Sequence, residues 1–184
     1  MHIQEIEYHL IELDRALVNL RIQTPIPVLL LGGAYILVER INVRRSTQDI
    51  DVFPFVVSEI DEATGMPLSV ALYQAALVVA QQHDLSPYWF NTIRVGALDP
   101  LGVSTQRTLW KKYKVLEVYL PDKEYVLAQK LLINRPKDHE DIRLLFQALG
   151  IATKAQAQAL LDRYLSQNEQ RQLNLTVTLQ HYFP

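Results

Sequence analysis

Ile3, Ile6, Leu10, Leu13, Leu17 and Leu20 recur at alternating spacings of three and four. That period lays one apolar stripe along a helix over residues 3–20. Glu5, Glu7, Glu12, Asp14 and Arg15 fall mostly off the stripe, so the helix is expected to pack on a domain. It is short for a coiled-coil partner surface. Thr24-Pro25-Ile26-Pro27 breaks the helix. Val28 to Leu31 is a continuous apolar run too short for a helix, and predicts a strand buried on both faces. Gly32-Gly33 ends it, and Ala34 to Arg40 can form a short helix. Asp49-Ile50-Asp51-Val52-Phe53 alternates carboxylate and apolar side chains, the period of a strand, which Pro54 limits.

Leu68, Leu72, Ala75, Ala76 and Val79 mark a helix over 68–83. Residues 92–98 and 114–120 read as strands. Helices are expected from Lys123 to Asn134 and from Lys137 to Leu149, the second stopped by Gly150. Residues 153–178, rich in Gln and Ala, read as helical. The order predicts an α+β (α/β) fold: a small mixed sheet flanked by helices, then a helical C-terminal region. One domain over residues 1–150, with a helical extension over 151–184 packed on it, is the expected organisation.

Composition narrows the function classes. The chain has 184 residues, 49% hydrophobic and 21% charged, which is globular and not disordered. A net charge of -2 weakens a reading in which bulk charge clamps nucleic acid. Arg40, Arg44, Arg45, Arg107, Lys111, Lys112 and Lys114 still allow a local basic patch, or a solvated surface. The absence of cysteine removes disulfides, thiol nucleophiles and Cys-ligated metals. No apolar run reaches a membrane span, and the first residues lack the pattern of a secretory leader. A soluble, cytoplasmic protein without membrane partners is expected. The five histidines are not paired at ligand spacing, so no zinc site is expected.

Two local patterns carry chemistry. Gly32-Gly33 follows a buried strand and opens a helix, where bare backbone lets amides approach an anion. The same pair also serves as a plain tight turn. Asp49 and Asp51, two apart on a strand, point to one sheet face. Two adjacent carboxylates repel, and a divalent cation is the usual compensation; Mg²⁺ takes one or two carboxylates and leaves room for phosphate and water. A solvent-facing acidic pair is the other reading.

Taken together, Gly32-Gly33 and Arg45-Ser46-Thr47-Gln48-Asp49-Ile50-Asp51-Val52 resemble the signature of the nucleotidyltransferase superfamily. The closer resemblance is to the bacterial group of AbiEii-type toxins and DUF6036-like proteins. A second stretch is similar as well: Leu120-Pro121-Asp122, Lys130-Leu131, then Arg135-Pro136-Lys137-Asp138 with Asp141. Trp89-Phe90-Asn91 resembles a Trp-x-Asn element of the DUF6036 group. The resemblance spans about residues 28–150. It implies a Mg²⁺- (or Mn²⁺-) dependent transfer of a nucleoside monophosphate from a nucleoside triphosphate. Asp49 and Asp51 would hold the metal, and Gly32-Gly33 would cradle the phosphates. Lys130, with Arg45, would offset charge on the leaving pyrophosphate. Asp138 would lie close by, and Thr47 would pin the turn before the strand. The acceptor could be an RNA or tRNA 3′ end, a protein hydroxyl or a small molecule. An antitoxin protein is the implied partner if the chain is a toxin.

Many nucleotidyltransferases carry a third carboxylate on a later strand. Here the nearest candidate is Glu117, which reads equally as a catalytic acid or an exposed edge position. Without a third acid, the chain reads as a catalytically weak or inactive nucleotide-binding or regulatory module.

Overall fold

The computed structural model describes residues 1–41, 46–55, 59–92 and 106–183. Among them, eight α-helices accompany a five-stranded mixed sheet. In chain order these are α1 (Ile3–Asn19), β1 (Ile26–Leu31), α2 (Gly32–Val38), β2 (Ile50–Pro54), α3 (Leu68–Gln82), β3 (Phe90–Thr92), β4 (Arg107–Lys112), β5 (Leu116–Pro121), α4 (Lys123–Ile133), α5 (His139–Ala148), α6 (Lys154–Tyr164), α7 (Gln167–Gln172) and α8 (Leu175–Tyr182). Among these residues no helix is long and apolar enough to cross a membrane. The chain divides into two compact units: α1–α3 with the sheet, and the helices that follow Pro121.

In the first unit the strand order is β3-β2-β1-β5-β4. β1 runs antiparallel to β2 and parallel to β5, and β2 runs parallel to β3. Val28, Leu30, Ile50, Val52, Leu116 and Val118 share one sheet face and are fully buried. The α1 stripe is buried as its spacing predicts: Ile6, Leu10, Leu13 and Leu17 have no exposed surface. Truncating one such leucine to alanine costs about 2–5 kcal/mol. Asp14, also buried, accepts the backbone N–H of Val115 and Leu116 at 2.8 Å each, so α1 fixes the β4–β5 turn. Asp61 does the same for the approach to β1. It is enclosed and accepts from Gln23 N, Thr24 N and both donors of Thr64. Those bonds, the Thr24 and Gln23 amides first, hold its carboxyl far below the usual carboxylate range.

Histidines distant in sequence meet in space. His9 of α1 and His83, just past α3, have ring centroids 5.5 Å apart, and Trp89 lies 5.6 Å from His9. His9 Nδ1 is buried without a hydrogen-bond partner among the described residues. Burial, then the nearby His83, pushes His9 below the ordinary imidazole range.

β4 is not legible in the sequence. Arg107-Thr108-Leu109-Trp110-Lys111-Lys112 lacks a clean apolar alternation, because β4 is an exposed edge strand protected by charge. The strand expected over 92–98 lies mostly outside the described residues; β3 covers Phe90–Thr92.

In the second unit α4 packs on α5, α6 and α8. The helical region expected over 153–178 consists of three helices, α6, α7 and α8. Ser166 and Glu169 form a capping box that starts α7, and Asn174 at φ 53° turns the chain into α8. The C-terminal helices therefore form one unit with α4 and α5.

Candidate functional site

The first unit assembles a small polar site at the end of β1. Leu31 lies opposite Asp51 in the antiparallel ladder, and Asp51 lies opposite Asn91 in the parallel one. The turn after Leu31 therefore comes down beside Asp51. Gly32 adopts φ +61°, and a Cβ built on it would overlap Asp51 Oδ2 and stand 2.9 Å from Asp51 Cγ. Both its backbone and its missing side chain require glycine there. Gly33 continues the turn and is half-buried.

Asp49 precedes β2 by one residue and, with Asp51, is half-buried. Asn91 joins the two: its Nδ2 donates to Asp49 Oδ2 at 3.3 Å and to Asp51 Oδ1 at 3.4 Å. These bonds are long and weak. Two carboxylates thus converge on one neutral donor. Thr47 fixes the approach to β2. It is buried, its hydroxyl donates to the Asp49 carbonyl at 3.1 Å, and its N–H donates to the Met1 carbonyl at 2.9 Å. Its oxygen is thus engaged on backbone. Arg45 lies outside the described residues.

Among the described residues no cluster of three or more His, Asp or Glu can hold a metal by itself. The donor set is two hard carboxylates beside a turn with no side chain at Gly32. It fits a Mg²⁺ or Mn²⁺ ion completed by phosphate and water oxygens, and does not fit an all-protein cage.

Glu117 is not part of this convergence. Pro27 lies opposite Glu117, while Leu31 lies opposite Asp51, so the two acids share a sheet face. They are four residues apart along β1 and two strands apart across it, about 16 Å by strand geometry. Lys112 Nζ binds the Glu117 carboxylate at 2.7 Å and the Tyr119 hydroxyl donates to it at 2.9 Å. Lys112, then Tyr119, lower its pKa.

The second unit holds the other residues singled out by sequence. Lys130 Nζ, on α4, lies 2.8 Å from Asp138 Oδ1 and 2.9 Å from Asp141 Oδ2. Arg135 Nε lies 2.6 Å from Asp138 Oδ2. The side chains of Lys130, Asp138 and Asp141 are 6%, 5% and 4% exposed. Among the described residues, Lys130, Arg135, Asp138 and Asp141 bring two cations and two anions together, enclosed except at Arg135. Burial pushes the Asp138 carboxyl up, but bonds from Arg135 and Lys130 outweigh it and leave the pKa low. The ammonium expected to meet a triphosphate is engaged inside its own unit, in the geometry of a structural ion pair.

The residue that sequence reasoning left without chemistry is Asn91. Its signal is the period-2 spacing from the buried Trp89, which sets Asn91 on the strand next to Asp51. The chain matches no protein-family model, no curated protein and no solved structure.

Proposed function

We propose that this chain binds a nucleoside triphosphate with a divalent cation at Asp49 and Asp51 and transfers its nucleoside monophosphate to an acceptor hydroxyl. The observation that carries the reading is the convergence of both carboxylates on Asn91 beside the side-chain-free Gly32 turn. Mg²⁺ or Mn²⁺, when bound, would offset the negative charge of phosphate and carboxylate oxygens. Asp49 and Asp51 bind and orient; Gly32 leaves space at the turn; Thr47 holds the strand approach. In the transfer the acceptor oxygen bonds to the α-phosphorus, the α–β bridge breaks, pyrophosphate leaves and the hydroxyl proton goes to solvent.

A second reading, a nucleotide-binding module without transfer, is favoured by one specific observation. The group beside the two aspartates is a neutral amide, and Glu117 stands far along the face. Among the described residues no other carboxylate lies beside the aspartates to take the acceptor proton.

The experiment is transfer of label from each α-³²P nucleoside triphosphate, with Mg²⁺, to total RNA and to protein, beside Asp51→Ala. Label with the wild type and none with the variant supports transfer, and the labelled band names the acceptor class. Nucleotide binding by calorimetry without label supports the module. Neither label nor binding sinks both readings. An antitoxin partner and an RNA acceptor are part of the first reading, and the labelled species decides the second of these.

A further inference from the structure

The face that carries Asp51 continues as an aromatic strip. Phe53 follows two residues later on β2, and the Phe55 N–H donates to the Pro27 carbonyl at 3.1 Å, which extends the ladder past Pro54. Asp49, Asp51, Phe53 and Phe55 therefore line one side of one strand. Phe53 and Phe55 are both half-buried, and their rings meet edge to face, centroids 5.7 Å apart. Arg107, exposed on β4, lays its guanidinium 4.2 Å from the Phe55 centroid and 5.4 Å from that of Tyr119. It forms no ion pair with a described residue. Its guanidinium thus lies on the sheet face that carries Asp51.

We infer that Phe53, Phe55 and Arg107 hold the base of the nucleotide whose phosphates lie at Asp49 and Asp51. The inference rests on the nucleotide reading above and adds where the base goes. Strand geometry sets Phe53 roughly 7 Å, and Phe55 roughly 13 Å, beyond Asp51. That is the scale on which a nucleoside triphosphate separates its base from its phosphates. Aromatic rings accept a base by stacking whatever its identity. A guanidinium stacks too, and its edge only donates, so it selects acceptor atoms on the base. Continuity with the aspartates on one strand, and a guanidinium without an ion pair among the described residues, favour this occupant over an apolar partner.

The test is calorimetric titration of the full chain with the Mg²⁺ complexes of the four nucleoside triphosphates and of inorganic tripolyphosphate. Phe53→Leu and Arg107→Gln are run beside the wild type, their folding checked by circular dichroism. At least one nucleotide is expected to bind about tenfold tighter than tripolyphosphate, the scale of one base–aromatic stack. Each variant is expected to lose most of that ratio while keeping its tripolyphosphate affinity. Nucleotides no tighter than tripolyphosphate, or a ratio unchanged in both variants, would overturn the inference and leave the phosphate reading standing. Wild type that binds neither ligand overturns the phosphate reading, and this inference with it.

Discussion

The position of Asp51 forbids a side chain on Gly32: an added Cβ would overlap its Oδ2. Strand pairing puts them there, since Leu31 and Asp51 are opposite each other and the turn starts at the next residue. Gly32→Ala is therefore expected to cost more than about 1 kcal/mol, from positive φ alone, and to displace the carboxylate as well. Urea denaturation reads the first effect and Mg²⁺-nucleotide titration the second. Adding Asp51→Gly should recover the steric part of the stability loss but not the binding. Full stability in Gly32→Ala would show that the turn is not held as described.

Asn91 donates weakly to both acids, and Asn91→Asp would replace that donor with a third negative charge. Like charges disfavour one another at this range. The variant should melt a few degrees lower without metal, roughly the effect of 1 kcal/mol in a domain of this size. Added Mg²⁺ should raise its melting temperature by more than it raises that of the wild type. Equal gains in the two proteins would remove Asn91 from the site.

Lys130 is bound to two buried carboxylates. Lys130→Met leaves both without their shared cation and should cost about 3–5 kcal/mol. Lys130→Met combined with Asp141→Asn should cost less, because one buried charge leaves with the other. Chemical denaturation of the three proteins separates this structural role from a phosphate-binding one, in which the single variant would keep its stability and lose nucleotide.

Acid should loosen the segment before β1. The folded pKa of Asp61 lies below its unfolded value, so its contribution is complete above about pH 4, the unfolded carboxylate range, and is lost as pH falls toward the folded value. Asp61→Asn should be less stable at neutral pH and show a shallower decline below pH of about 4. Melting curves across that window check it; parallel curves would exclude Asp61 as the source.

His9 acts at a higher pH with the same sign. Its folded pKa is depressed, so the unfolded chain binds the proton first as pH falls below about 6.5. Stability should drop from neutral toward pH of about 5.5, and His9→Phe should flatten that drop. NMR titration of the imidazole gives an independent reading of the shift.

Much of this was legible in the chain. The spacing of Ile6, Leu10, Leu13 and Leu17 fixes α1 because a 3.6-residue period leaves one face for the core. The run Val28–Leu31 and the alternation Asp49 to Phe53 locate β1 and β2, since strand period depends only on neighbours in sequence. Gly32, Asp49 and Asp51 stand out for the same reason: turn geometry and side-chain parity are local. β4 escaped because an edge strand needs no apolar alternation. The C-terminal residues read as helical and are so; their division into α6, α7 and α8 was not legible, because Ser166 and Asn174 give weak local signals that only packing turns into helix ends.

Local pattern therefore located most of the elements, set the α+β class and picked out the residues whose chemistry is proposed. Tertiary structure decided which of those residues meet. Strand register, which joins residues tens of positions apart, puts Asn91 beside Asp51 and leaves Glu117 far along the same face. Helix packing gives Lys130 to Asp138 and Asp141, and a strand edge lays Arg107 over Phe55. Partnership across the fold depends on pairing and packing of distant segments, and no period in a single sequence encodes it.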